Sequence, residues 1–341
     1  MTRYHWLVLG LLIGAASSAT AADPITVEQP RIRAAIEKSL PLLTKGAVGH
    51  RESRTCFACH SQGLPVLALT AAKSKGFAID DEELKKQLAH TAKFLAGNRE
   101  NYLKGQGQGG QADTAGYALW TLAAGGCSPD ETTGAVAEYL LQRHQDRDHW
   151  GNTSKRPPTE ATPFTTTYVA LYGLNTFGTT EQAERIAKRK QQAREWLLKT
   201  PAQDNEDRVF RLWGLEAAAA PAEEIAAAAK ELMAKQRADG GWAQLDSGEP
   251  ASAIESDAYA TGTALVALHE AGGMATSDAA FQRGLAYLLK EQQDDGSWRV
   301  ATRSKPIQAY FETGFPHGKD QFISTAASSW ATWALVLAYE Q

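Results

Sequence analysis

The chain has 341 residues, 35 Lys and Arg against 39 Asp and Glu, a formal net charge of −4 and a 43% hydrophobic content. So mild an acidity provides no electrostatic footprint for nucleic acid or an anionic membrane, and functions that depend on one are excluded. The composition is that of an ordinary globular protein.

The N-terminus reads as a secretory signal over residues 1–21. Arg3 supplies the positive start, residues 7–16 form a short apolar run, and Ala19-Thr20-Ala21 is a small-residue cleavage site. The run is too short to span a bilayer as a mature helix, although an uncleaved N-terminal anchor is the alternative. No other stretch approaches transmembrane length. The expected product is a single exported domain, residues 22–341, periplasmic and without a membrane span.

Next in the chain is Cys56-Phe57-Ala58-Cys59-His60, a C-x-x-C-H pentapeptide. In c-type haem proteins two such thiols add across the porphyrin vinyl groups, and the adjacent histidine becomes an axial iron ligand. Behind an export signal this predicts covalent haem c on Cys56 and Cys59, with His60 as the proximal ligand. Two other readings fit the same residues: a disulfide or reactive dithiol at a helix start, and zinc held by Cys56, Cys59 and one or two histidines. No separate cytochrome-sized unit carries the motif, because Gly63-Leu64-Pro65 leads directly into an apolar helix.

From there the chain alternates two textures. Charged segments with one apolar face occupy roughly 31–44, 82–97, 130–143, 179–198, 221–236 and 277–292. Each is followed by a segment of small and aromatic residues, apolar around most of its circumference: 63–72, 112–124, 163–177, 208–219, 257–271 and 324–338. Proline and glycine punctuate the junctions, as at Gly125-Gly126, Pro129, Pro221 and Gly272-Gly273. Charged-outer then apolar-inner, six times over, predicts an all-α (α/α)6 toroid of six helical hairpins, a closed ring with inner and outer helices; an open solenoid is the structural alternative.

Two junctions narrow the family. Gln236-Arg237-Ala238-Asp239-Gly240-Gly241-Trp242 and Gln293-Asp294-Asp295-Gly296-Ser297-Trp298 each follow a charged helix, and residues 144–151 look like a decayed third copy ending in Trp150-Gly151. Glycine permits the sharp exit, aspartate bonds local amides, and tryptophan fills a gap between helices. These turns resemble the Gln-x-x-Asp-Gly-x-Trp repeats of the squalene and hopene cyclase superfamily, and the resemblance implies the toroid fold without fixing an activity. The Asp-x-Asp-Asp acid motif of class II terpene cyclases is missing. Asp113 and Asp257, at the starts of two inner segments, are the candidate general acids; the alternative is that each caps or stabilises a helix terminus. Protein prenyltransferase β-subunits share the toroid and hold zinc with Asp, Cys and His, but Cys127 is expected at the opposite end of the ring from Cys56 and Cys59.

In such a ring every outer-to-inner connection lies on one face. The longest, from Pro306 to Ile323, carries His317 between Gly314 and Gly318, which makes His317 the candidate distal iron ligand. Tyr117, Trp120, Tyr168, Tyr172, Trp213, Tyr259, Trp330 and Trp333 fall on inner segments, where they line an apolar cavity or fill the core. The leading expectation is an exported haem c protein in electron transfer or redox chemistry, with a redox partner protein or a quinone-like or isoprenoid small molecule. A haem-free toroid enzyme acting on a terpenoid or a saccharide is the second reading, and a non-catalytic binding scaffold the third.

Overall fold

The computed structural model describes residues 26–160, 162–306 and 308–340; the signal-like segment 1–21 lies outside them. Three outer helices begin where an acidic or hydroxyl side chain satisfies the free amides of a first turn. Asp80 accepts from the Glu83 amide at the start of α3 (Asp81–Ala96), and Asp130 and Thr133 form a reciprocal box at α6 (Glu131–Gln142). The other outer helices are α1 (Gln29–Ser53), α8 (Ala183–Lys199), α10 (Ala222–Met233) and α12 (Ala279–Glu291), the third so capped. Alternating with them are inner helices α2 (Leu64–Ser74), α5 (Gln111–Ala124), α7 (Pro163–Phe177), α9 (Asn205–Ala217), α11 (Ala258–Glu270) and α13 (Gln321–Ala338). A short α4 (Arg99–Leu103) precedes α5. Sheet structure among the described residues is one antiparallel pair, Trp242–Ala243 with Ser256–Asp257.

The ring closes. α13 packs on both α11 and α2, the Thr332 hydroxyl donates to the Ser39 hydroxyl of α1 at 2.8 Å, and the Gln29 amide reaches the Ala338 carbonyl at 3.0 Å. Six helical hairpins therefore form the expected (α/α)6 toroid. One boundary differs from the sequence reading: α1 continues to Ser53, so residues 45–53 are helical and His50 is buried on that helix. The first connection shrinks to a few residues before a π turn, Cys59–Gly63.

Three tryptophans fix the hairpins to one another with the same pair of bonds. The Trp242 indole donates to the Leu232 carbonyl at 2.9 Å, Trp298 to Leu288 at 2.7 Å and Trp150 to Leu140 at 2.8 Å, each ten residues back on the preceding outer helix. Their backbone amides donate to hydroxyls of the next inner helix: Thr261, Ser328 and Thr167. All three rings are fully buried. In the intact copies the glutamine amides also reach the neighbouring hairpin, Gln236 to Ala280 and Gln292 to Ala35; the second copy thus begins at Gln292 rather than Gln293. Gly240 and Gly296 stand at φ +90° and +91°, and a Cβ there would fall 2.5 and 2.6 Å from the Arg283 and Lys38 carbonyl oxygens, so no other residue fits. The third copy has lost glutamine, aspartate and glycine but keeps the tryptophan, with the Arg189 guanidinium 4.0 Å from the Trp150 ring.

Trp150, Trp242 and Trp298 are structural. Each Trp→Ala variant should lose about 3–5 kcal/mol in equilibrium urea unfolding, while Trp→Phe should lose about 1–3 kcal/mol for the orphaned carbonyl. Unchanged midpoints in all three would contradict the shared role.

Candidate functional site

Every inner helix starts at the same face, here the mouth, so depth along the ring axis can be counted in residues. The Trp120 ring of α5 lies 5.2 Å from Tyr168 and 5.6 Å from Tyr172 of α7, 5.5 Å from Trp213 of α9, and 6.1 Å from both Trp330 and Trp333 of α13. Rings from four inner helices meet one another across the axis about ten residues, or ~15 Å, below the mouth. They therefore plug the middle of the ring instead of lining an open apolar shaft.

Above the plug the lining turns polar. Tyr117, one turn nearer the mouth than Trp120, stacks on it at 5.9 Å, and its hydroxyl is buried without a hydrogen-bond partner. Glu206, in the first turn of α9, accepts from the Thr165 hydroxyl of α7 at 3.1 Å and the Tyr259 hydroxyl of α11 at 3.0 Å. Burial, helped by the neighbouring Asp204, pushes its carboxyl well above the ordinary range. Across from it is Glu160, carried by the connection between α6 and α7. Glu160 stands at φ +51° and is 2% exposed. Its carboxylate lies 3.6 Å from His60 Nδ1 and 3.8 Å from the Arg156 guanidinium. At that length the His60 pair is an electrostatic contact, too long for a hydrogen bond. Burial raises the Glu160 carboxyl, but His60, Arg156 and the Cys59 thiol outweigh it and hold the group below its ordinary value. Burial also lowers the His60 imidazole, against the opposing pull of Glu160. The Tyr117 and Tyr259 phenols are raised, chiefly by burial and in part by both Glu206 and Glu160, so the two glutamates share these phenols as neighbours.

The segment that carries Glu160 is anchored by Asp113. One carboxylate oxygen accepts from the Thr153 and Ser154 amides at 3.0 and 3.3 Å, and the other accepts from the Thr166 hydroxyl. Outside the chamber a vestibule of about 350 Å³ is lined by His60, Arg156, Lys305, Lys319, Phe311 and Phe322, among others. His60 and Arg156 line the vestibule and lie beside the buried Glu160.

The residues expected to hold haem do not fit it. Both thiols would have to reach one porphyrin edge, yet Cys56 is exposed while Cys59 is buried against Glu160, its thiol pushed up by burial. The Cys56 carbonyl is held by His50 at 3.1 Å and His90 at 3.3 Å. His60 sits between Glu160 and the Phe322 ring, 5.2 Å away. His317, the expected distal ligand, instead has Nε2 2.7 Å from the Ser297 hydroxyl, inside the Trp298 turn. The zinc reading fares no better, since no cluster of three or more His, Cys, Asp or Glu suited to a metal occurs among the described residues. No disulfide joins the cysteines among the described residues. Asp257 is an N-cap, accepting from the Ala260 amide at 2.9 Å, with burial raising it to about 6. Asp113, raised to about 7 by burial, is committed to its three donors. Glu160 and Glu206 were not singled out from the sequence, where one follows Pro157-Pro158 and the other sits in the acidic run 204–207.

Residues 208–336 match the family model of the squalene-hopene cyclase C-terminal domain. MstE, a type II terpene cyclase from Scytonema, superposes with a TM-score of 0.57 over 92% of this chain and 99% of its own, at 14% identity. The chain has the terpenoid-cyclase-like α-α toroid fold. The unsaturated glucuronyl hydrolase of Bacillus sp. GL1, responsible for glycosaminoglycan degradation, also superposes on the toroid, with a TM-score of 0.55 at 11% identity, covering 89% of this chain and 96% of its own. A possible GH105 family member from Salmonella enterica gives a TM-score of 0.53 at 14% identity, covering 96% of this chain and 99% of its own. No curated protein matches the sequence. Among the described residues no helix of the toroid is long and apolar enough to cross a membrane.

Two outcomes check this geometry. Protein expressed with a haem c maturation system should keep no Soret band after acid–acetone extraction; a retained band would overturn the haem argument. Glu206 gives the second. Its folded value lies above its unfolded one, so its contribution to stability is full below about pH 4 and is lost as pH rises through the folded value. Glu206→Gln should flatten the fall in stability that begins as pH rises above about 4 in urea unfolding, and an unaltered curve would refute the assignment.

Proposed function

We propose that this protein is a haem-free acid–base enzyme that hydrolyses a C–O bond in a small polar substrate at the mouth of the toroid. The observation that carries the reading is the pair of buried glutamates whose environments push them apart, Glu206 towards the protonated form and Glu160 towards the ionised one. Two carboxyls so divided have the makings of a general acid and a general base. In the proposed step Glu206 gives its proton to the bridging oxygen as that C–O bond breaks. Glu160 takes a proton from a water molecule, whose oxygen forms the new bond to carbon. One water is added across the bond, and proton exchange with solvent returns Glu206 to the acid form and Glu160 to the carboxylate. His60, buried 3.6 Å from the Glu160 carboxylate, is a positioning residue that packs beside it. Asp113 acts at one remove by fixing the segment that carries Glu160.

The aromatic plug favours a small polar substrate over a polyprenyl chain, which needs a long apolar hollow where Trp120, Trp213 and Trp330 meet. Fold neighbours named as a terpene cyclase and as a glucuronyl hydrolase are compatible with either chemistry.

The test is turnover of a panel of glycosides and unsaturated oligosaccharides followed by reducing-end release. Glu206→Gln and Glu160→Gln should each lower kcat by about 10²–10⁴-fold with the fold intact, and the wild type should show a bell-shaped pH profile whose acid limb disappears in Glu160→Gln. Activity in both variants equal to wild type would refute the proposal.

A further inference from the structure

The vestibule has a charge pattern that the chamber chemistry does not require. Its lining includes Arg156, Lys305 and Lys319 and contains no aspartate or glutamate, in a chain whose net charge is −4. Lys305 and Lys319 have no ion pair or hydrogen bond among the described residues, while most basic side chains at the mouth are already engaged: Arg299 with Asp320, Arg303 with Gln244, Arg208 with Asp246. Glu312, on the same loop, accepts from the Tyr310 hydroxyl and is not part of the lining. α13, eighteen residues long, begins at the vestibule with Gln321 and Phe322, so the positive end of its dipole adds to the field. Arg156 is offset by Glu160 behind it, so the unpaired Lys305 and Lys319 and the helix terminus leave the concavity net positive, and it draws an anion.

The remaining lining says what carries the anion. Phe322 and Tyr310 offer flat apolar faces, Phe311 carries the Arg54 guanidinium 4.1 Å over its ring, and Ser61, Ser304, Gln308 and Gln321 offer hydroxyl and amide groups. Aromatic faces combined with many neutral hydrogen-bonding groups match a ring that is apolar on its C–H faces and hydroxylated at its rim. Deeper in, the buried unpartnered atoms are of both kinds: hydroxyl donors on Tyr117 and Thr159, acceptors on Glu160 and Asn205. A polyol satisfies both kinds, and unmet buried groups of this sort are costly when left alone. The volume, about 350 Å³, is at the small end of ligand sites and suits one or two sugar rings.

We infer that the vestibule binds an acidic saccharide, its carboxylate or sulfate directed at Lys305 and Lys319 and its ring on Phe322, and delivers it past His60 to Glu160. This rests on the acid–base reading for its destination, though not for the binding itself.

Binding can be separated from turnover by isothermal titration calorimetry on the intact Glu206→Gln protein. Trigalacturonate should bind, and its neutral methyl ester should bind at least about tenfold more weakly. Lys305→Ala and Lys319→Ala should each weaken trigalacturonate binding by about two- to fivefold, and added salt should weaken it further. A 6-O-sulfated neutral disaccharide that binds as tightly as trigalacturonate would identify sulfate as the source of the anion; one that fails would identify carboxylate, and either agrees with the inference. Equal affinity for the methyl ester, no binding of any acidic sugar, or citrate binding as tightly as trigalacturonate would overturn it. Acidic-sugar binding without hydrolysis by the wild type would leave this inference standing and refute the proposed function; hydrolysis of neutral glycosides alone would do the reverse.

Discussion

The indole of a tryptophan, donating to a carbonyl ten residues back, is the contact on which the ring depends. In each of the three turns one residue bonds the helix behind it through its side chain and the helix ahead through its backbone amide. The outer and inner layers are thereby fixed at a set distance, and buried bonds of this kind have no water to compete for them. Residues 144–151 show which part of the motif is essential. Glutamine, aspartate and the positive-φ glycine have gone, yet Trp150 makes the same two bonds, with Arg189 covering its ring.

Because six inner helices start at one face, the mouth collects their first turns, and with them the free amides and the positive ends of their dipoles. Some of the acids there are absorbed in ordinary capping, as with Asp204 and Asp257. Glu206 and Glu160 are different. Glu206 links α7, α9 and α11 through two hydroxyls, and Glu160 belongs to no helix, being held by the segment that Asp113 anchors. The site is therefore built on rigid termini with one irregular arm inserted between them.

The ring was legible in the sequence because its determinants are local and periodic: alternating textures, punctuating glycines and two good turn motifs. What could not be read was convergence. Trp120, Trp213 and Trp330 carry no mark in sequence that they touch across the axis, and lining a shaft looks the same as filling it. Cys56 and Cys59 have the spacing for haem, but spacing carries no information on burial, and the structure sends one thiol outward and the other inward. His317 has reach and flanking glycines, yet its ring is bonded within the Trp298 turn. Glu160 is the most instructive omission. Its position depends on a positive-φ backbone and on contacts from Asp113, 47 residues earlier, and no periodic pattern reports either.

The plug has a consequence for traffic. A ring open at both ends would let a long polymer thread through and be cut anywhere along its length. Stoppered below by Trp120 and its neighbours, this ring is a blind cup with one door, used alike for arrival and departure. A chain molecule that reaches the bottom of such a cup does so by its end, so for the proposed hydrolysis the geometry favours termini over interior linkages.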